Sequence, residues 1–499
     1  MLEKKNIGLN FLSAIFLQII TILLAFIVPK LMISTYSPQL HGFLSTISSL
    51  ITYLMIVELG IASSSIQGLY KPLVSNDSHL INAGLNAIGR FYFRIGLLFT
   101  SLLFILAFIY PIVVTSNWSF QLVSLLIIFS GLSQLMEYFF GSKYRILLQA
   151  DKKLYILNSI NIFSVLIQGF LRIVLILNKV DILLVQLIPA VVYLFKLYLM
   201  ISYIKKHYYF LDSNIPPDYT ITSKKWNVFV HQITNLIVNN TDAIILSIVK
   251  GFSIVSVYSI YNLVISNLNG FFSQSFSTPM TANLGHLFVS DRDSFVKEYS
   301  FFEKLYYTLI SLVLGISGIA LLPFVKLYLG VTSGINYVDF GVMFLFVTNS
   351  LVTNLRVPLL TVVLAAGTFK ETQNFAIFEA IINLILSLML VNDFGIYGVL
   401  SATVCSNLYR FYSDITYVNY HILKRSKMTS VKLGVVSILG MSIPILIGYI
   451  FNQYIKVSHW IDLLYLCFFT GVISVVIYLV FIMVFDKAFF QRCLKFIFH

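Results

Sequence analysis

Apolar runs broken by charge, proline, asparagine and glycine recur along the whole chain. They predict membrane-crossing helices near 8–34, 40–66, 91–115, 118–142, 155–178 and 181–204. After a polar break the pattern resumes near 225–249, 253–282, 301–329, 337–366, 373–392, 395–422, 433–455 and 460–485. A helix needs about 20 apolar residues to cross a hydrocarbon core ~30 Å thick, and these runs supply them. The expected fold class is therefore an all-α polytopic membrane protein with about 14 transmembrane helices. The break, KKHYYFLDSNIPPDYTITSKKW, contains Pro216 and Pro217 and reads as a linker. It divides the chain into an N-terminal six-helix lobe (1–206), a linker (207–224), a C-terminal six-helix lobe (225–426) and an extra helix pair with a tail (427–499). Each half's second helix is rich in Gly, Ser and Tyr, as HGFLSTISSL and VYSIYNLVIS. That suggests internal duplication, with the lobes related by an axis along the membrane normal.

Composition sharpens this picture. Of 499 residues, 58% are hydrophobic and 11% charged, and mean hydropathy is +0.89, which excludes a water-soluble globular domain. The first run is too long for a signal-peptide core and lacks a small-residue cleavage site, so it is expected to be a retained span. The excess of 33 Lys+Arg over 20 Asp+Glu reflects orientation before anything else, and nucleic acid is not an expected partner. Placing the N-terminus inside puts 24 Lys and Arg on that side and 4 opposite, so both termini are expected in the cytoplasm.

Familiar catalytic motifs are absent from the sequence. There is no GxxxxGK[ST] loop, no HExxH and no GxSxG elbow; the three cysteines form no CxxC, and the eight histidines form no cluster. Outer connections of only a few residues leave no room for an extracellular catalytic domain. An enzyme, a metal site and a cofactor are therefore not expected.

The informative residues are the ionisable ones inside spans, since a charge at mid-bilayer costs ~2.5 to 3.5 kcal/mol on insertion scales and needs a wet cavity or a partner. They are Lys30, Glu58, Glu137, Arg172, Lys196, Asp242, Arg356, Glu379, Arg410 and Asp414. Lys30 follows Pro29, where a bent helix could border a cavity or the lysine could snorkel outward. Lys196 reads as a snorkelling residue. Arg356, in TNLRVPLL, lies too far from either span end to snorkel, and its planar fork suits phosphate or carboxylate. It is read as a cavity cation in preference to an ion pair, so Arg356→Ala is expected to fold and to lose transport. Arg410 and Asp414, four apart, share a helix face and favour mutual neutralisation, with substrate contact by Arg410 the other reading. Asn239 and Asn240, before Thr241 and Asp242, mark a cavity wall or a helix-packing knot. Glu58, Asp242, Glu379 and Asp414 are the coupling or ion-pair candidates, and Glu137 and Glu379 lie close enough to the inner side to meet lysines there.

Several runs point further. VELGIASSSIQGLYKPLVSND, YRILLQADKKLYI, NNTDAIILSIVKGFSIVSVYSIYNLV, GTFKETQN and GIYGVL together resemble the polysaccharide transporter branch of the MOP flippase superfamily, the Wzx-type flippases of O-antigen, capsule and exopolysaccharide units. The resemblance implies two six-helix lobes around a central cavity, with the extra helix pair as an optional addition. It implies a bacterial inner-membrane protein that moves undecaprenyl-pyrophosphate-linked oligosaccharide from the cytoplasmic to the outer leaflet by alternating access. Membrane lipid and possible glycan polymerase and export machinery would be its partners. It also implies a cationic cavity with a basic residue late in the first helix; Lys30 stands there, where the family more usually shows arginine. A MATE-like drug/cation antiporter and, further off, a membrane glycan polymerase are the alternatives.

Overall fold

The computed structural model describes residues 2–58, 61–114, 118–219, 226–332, 334–454 and 457–498. The expected connection at 115–117 and the end of the 207–224 linker, from 220 on, lie outside them. Two compact units divide the chain, Met1–Ser256 and Val257–His499.

The first unit contains α1 (Leu2–Thr35), α2 (Pro38–Leu54), α3 (Ile61–Val74), α4 (Ser78–Val113), α5 (Phe120–Met136), α6 (Ser142–Ala150), α7 (Leu154–Leu177), α8 (Ile182–His207) and α9 (Trp226–Val249). It also holds the start of α10 (Phe252–Phe272), within which the division falls. The second unit continues with α11 (Thr278–Ser290), α12 (Arg292–Tyr328), α13 (Phe340–Ala366), α14 (Phe369–Phe394), α15 (Ile396–Tyr417), α16 (Met428–Tyr454), α17 (Trp460–Phe485) and α18 (Lys487–Phe498). Among the described residues, eleven stretches of helix are long and apolar enough to cross a membrane. The other three expected spans fall on α9, α10 and α15, which have 24, 21 and 22 residues and carry more polar side chains. The protein is a polytopic all-α membrane protein. Phe104, Phe108, Phe170, Met389 and Leu464 are among its many exposed large apolar residues, a surface that matches acyl chains and not water.

Helix ends differ from the hydropathy pattern where polar residues extend a helix beyond its apolar run. The expected 91–115 span belongs to a 36-residue helix that starts at Ser78, where Asp77 caps the Leu80 amide at 3.0 Å. Likewise α12 begins at Arg292, nine residues before the expected span. The Asp291 carboxylate caps it by accepting from the Asp293 and Ser294 amides and from the Ser294 hydroxyl at 2.5 Å. The hydroxyl bond is the main reason its carboxyl sits below the usual range. The expected 40–66 span ends early instead, in a 3₁₀ turn at Met55–Glu58. The 118–142 span ends in a π turn at Glu137–Gly141 and continues into α6. Near Leu329 the short connection forms a two-residue hairpin, β1 (Val331–Thr332) against β2 (Ile335–Asn336), with Gly330 and Gly334 at positive φ.

Within the first unit, α2 and α9 pack closely. Tyr53 and Thr241 share a short hydrogen bond, and His41 Nδ1 lies 2.9 Å from Ser256 Oγ. Gly42 makes this approach possible, because a Cβ there would stand 1.8 Å from the Phe252 carbonyl oxygen. Backbone cannot move aside as a side-chain tip can. Gly42→Ala is therefore expected to cost roughly 1–3 kcal/mol, in the range of overpacked sites. A thermal melt of the purified chain checks it: an unchanged midpoint would mean that α2 and the start of α10 do not meet as described.

Candidate functional site

Most of the in-span charges collect into two clusters, each inside one unit. In the second unit, Arg356 on α13 donates from Nη1 to Glu379 Oε1 on α14 and to Asn407 Oδ1 on α15, both at 2.6 Å. Its Nε lies 3.7 Å from Asp414 Oδ2. Arg410 donates from Nε to both Asp414 oxygens at 3.0 and 3.1 Å, and its Nη1 stands 3.6 Å from Glu379 Oε2. Asn407 continues the network to Asn349 Oδ1 at 2.8 Å. Two guanidinium groups and two carboxylates thus neutralise each other where α13, α14 and α15 pack together. Arg410 and Asp414 are 3% and 2% exposed, leaving them little access to any ligand.

This changes the reading of Arg356. It is an ion-paired member of a neutral knot, not an open cation on a chamber wall. The reason lies on other helices: Glu379 and Asp414 come from α14 and α15, so the partners of Arg356 are 23 and 58 positions away in sequence. Arg410 with Asp414 shows the mutual neutralisation that its four-residue spacing favoured. A second acidic–basic contact in the same unit joins Arg425 to the fully buried Glu303 at 2.5 Å, with Ser430 donating to Glu303 at 2.6 Å.

The first unit has its own knot. Glu58, at the end of the 3₁₀ turn after α2, accepts from Arg145 Nη2 and from the Tyr92 hydroxyl, each at 2.8 Å. Glu137 accepts from Arg145 Nε at 2.8 Å and from the Tyr193 hydroxyl at 2.7 Å, with Lys196 Nζ at 3.8 Å. Lys196 therefore faces a carboxylate as well as any headgroup it could reach. The apolar pattern puts Arg145 in a connection between the 118–142 and 155–178 spans; the chain instead stays helical through the π turn and α6. A π turn inserts one residue into the helix register, so the eight-residue step from Glu137 to Arg145 behaves as seven, two whole turns on one face.

The remaining predicted residues occupy other places. Lys30 is exposed on α1, which runs through Pro29 as one helix. Asn239 is exposed and donates to the Asn235 carbonyl at 2.7 Å, and Asn240 donates to the Leu236 carbonyl at 3.1 Å. Both amides thus bond the turn below on α9. Asp242 is 2% exposed on the same helix.

One in-span cation behaves differently. Arg172, on α7, forms no ion pair among the described residues, and its shielded Nε has no hydrogen-bond partner. It lines an open cavity of about 480 Å³ between α1, α2, α7 and α8. Thr21, His41, Ser45, Ser48, Gln168 and Gln186 add polar groups to walls that are otherwise apolar. Gly169 brings α1 and α7 together beside it, since a Cβ there would meet Leu24 at 2.5 Å. A volume of this size lies within the range of small-molecule pockets. Spacing could not have singled it out: Arg172 has Gln168, Gly169, Leu175 and Ile176 at helical spacing and no acid, but Arg356 likewise has none on its own helix and is ion-paired.

No protein-family model and no curated protein matches the chain. Solved structures do match. A lipid II flippase, MurJ, in an inward closed conformation, is 14% identical with a TM-score of 0.63, over 95% of this chain and 99% of its own. An inward-facing multidrug resistance MATE family transporter of the MOP superfamily is 12% identical with a TM-score of 0.60, over 80% of this chain and 95% of its own. A MOP superfamily transporter from Pyrococcus furiosus, described as having a binding pocket of reverse polarity that suggests a different function, is 13% identical with a TM-score of 0.52, over 85% and 97%. At these identities the likeness is one of fold, and the fold of this chain is that of the MOP superfamily transporters.

Proposed function

We propose that this chain is a carrier that moves a lipid-linked anionic glycan between membrane leaflets by alternating access. Undecaprenyl-pyrophosphate-linked oligosaccharide units are the substrate class that the sequence resemblance suggests, carried from the cytoplasmic to the outer leaflet of a bacterial inner membrane. A glycan polymerase would take the product. A double phosphate and many hydroxyls cannot cross hydrocarbon unaided, and a polar, basic interior lowers that barrier.

The observation that carries this reading is the reach of the fold match. The lipid II flippase aligns over 95% of the chain, whereas the MATE transporters align over 80% and 87%. The chain continues through α16 and α17 beyond twelve spans, and a match of nearly full length favours the flippase over the shorter antiporters.

The second reading, a MATE-like drug/cation antiporter, is favoured by the number of MATE structures that share the fold. Such an antiporter binds cations and needs an available carboxylate. Four of the five in-span carboxylates, Glu58, Glu137, Glu379 and Asp414, are instead each held by an arginine, which supports the anionic cargo.

Proteoliposomes containing defined polyprenyl-pyrophosphate oligosaccharide separate the two. The expected result is protein-dependent transfer of the glycan to the opposite leaflet, read with a membrane-impermeant lectin or glycosidase. Transfer no faster than in empty liposomes, together with proton- or sodium-driven uptake of an organic cation, would replace the carrier reading with the antiporter.

A further inference from the structure

The cavity beside α7 holds two unmet hydrogen-bonding needs of different kinds. Arg172 presents a permanent positive charge with a shielded and unpartnered Nε. Gln186, across the same cavity on α8, uses its Nε2 to donate to Ser130 Oγ at 2.7 Å, while its Oε1 is buried without a partner. Buried polar atoms are nearly always satisfied, and a charged group left unpaired costs more than a neutral one. These two groups do not satisfy each other, although both line one cavity. An anion alone would answer Arg172 and leave the Gln186 carbonyl oxygen unmet; a neutral polyol would do the reverse.

We infer that the first unit contains a ligand site of its own, centred on Arg172 and Gln186, for a hydroxylated phosphate ester such as a sugar phosphate. The phosphate takes the guanidinium, which can donate two parallel hydrogen bonds to it. A neighbouring sugar hydroxyl donates to Gln186 Oε1, and Ser45, Ser48 and Gln168 stand ready for further hydroxyls. About 480 Å³ accommodates a phosphorylated monosaccharide. The ligand class draws on the proposed carrier function, because a lipid-linked glycan offers such a group where its first sugar meets phosphate. The site itself rests on the geometry of the first unit and is testable without transport.

Binding to the full chain in phosphatidylcholine nanodiscs is the direct test. The probes are N-acetylglucosamine 1-phosphate, N-acetylglucosamine, inorganic phosphate, and polyprenyl-pyrophosphate N-acetylglucosamine incorporated in the disc. The sugar phosphate is expected to bind saturably, inorganic phosphate more weakly, and the uncharged sugar not measurably. Arg172→Gln is expected to weaken sugar phosphate binding at least about tenfold, as loss of a charge-assisted contact implies, with the melting midpoint preserved because the arginine has no protein partner to lose. Gln186→Leu is expected to erase the preference for sugar phosphate over inorganic phosphate. Arg172→Lys, which keeps the charge and loses the fork, should retain part of the affinity, so the inference stays open to test even if the glutamine variant folds poorly. Competition by the lipid-linked probe would identify the site with the carried headgroup. Binding of the soluble sugar phosphate alone would keep the site and detach it from the carrier reading. Absence of saturable binding to the wild-type chain, or equal binding by wild type and both Arg172 variants, overturns the inference.

Discussion

Arg356→Ala is expected to destabilise the second unit by about 3–5 kcal/mol, because it leaves Glu379 and Asp414 sharing Arg410 in a buried site and takes the donor from Asn407. The reading from sequence alone was that this variant folds and fails to transport. The ion pairs reverse that expectation. Two buried carboxylates left with one arginine cost more than the alanine saves in side-chain entropy, so the loss should appear as poor yield of monodisperse protein and a lowered midpoint in detergent denaturation. The double variant Arg356→Ala/Glu379→Ala removes one charge of each sign and leaves the Arg410–Asp414 pair in place. It should recover a large part of the loss, as coupled neighbours do. A single variant as stable as wild type would mean that the knot contributes nothing, and Arg356 would return to consideration as a substrate contact.

Arg145→Met is the second change with a large expected effect. Arg145 holds Glu58 with one nitrogen and Glu137 with another, joining the end of the α2 span to the π turn after α5. Methionine keeps most of the volume and none of the charge. The two carboxylates would then be left with the Tyr92 and Tyr193 hydroxyls and with Lys196 at 3.8 Å from Glu137, a much poorer set of partners. A loss of about 3–5 kcal/mol follows if both acids stay ionised. Replacing Glu58 and Glu137 by glutamine in the same chain removes the stranded charges and should restore most of the midpoint. Read together with Arg172→Gln, these variants divide the in-span arginines by a stability measurement alone. Those with carboxylate partners should be costly to remove, and the one without should be nearly free.

The polytopic all-α character was legible in the chain because it rests on local composition. A run of apolar residues long enough to cross hydrocarbon is visible wherever it occurs, and proline with charge marks the breaks. Helix ends were less legible. Residues 78–90 and 292–300 belong to helices that hydropathy begins too far on, since capping by Asp77 and Asp291 is a hydrogen-bonding event and not a matter of apolar length. Arg410 with Asp414 could be paired from spacing, because both partners lie on one helix.

Arg356, Arg145 and Arg172 could not be sorted that way. By itself the sequence determined that the chain is a polytopic helical membrane protein and that its few intramembrane charges must be solvated or paired. Which charges are paired was decided only by tertiary structure, because Glu379 and Asp414 reach Arg356 from other helices, and Glu58 reaches Arg145 across 87 positions. Helix composition dictates that a helix enters the bilayer, whereas the rotation of that helix against its neighbours dictates which side chains meet. The same rotation leaves Arg172 and Gln186 facing one cavity without an acidic neighbour, an arrangement that no local pattern of residues encodes.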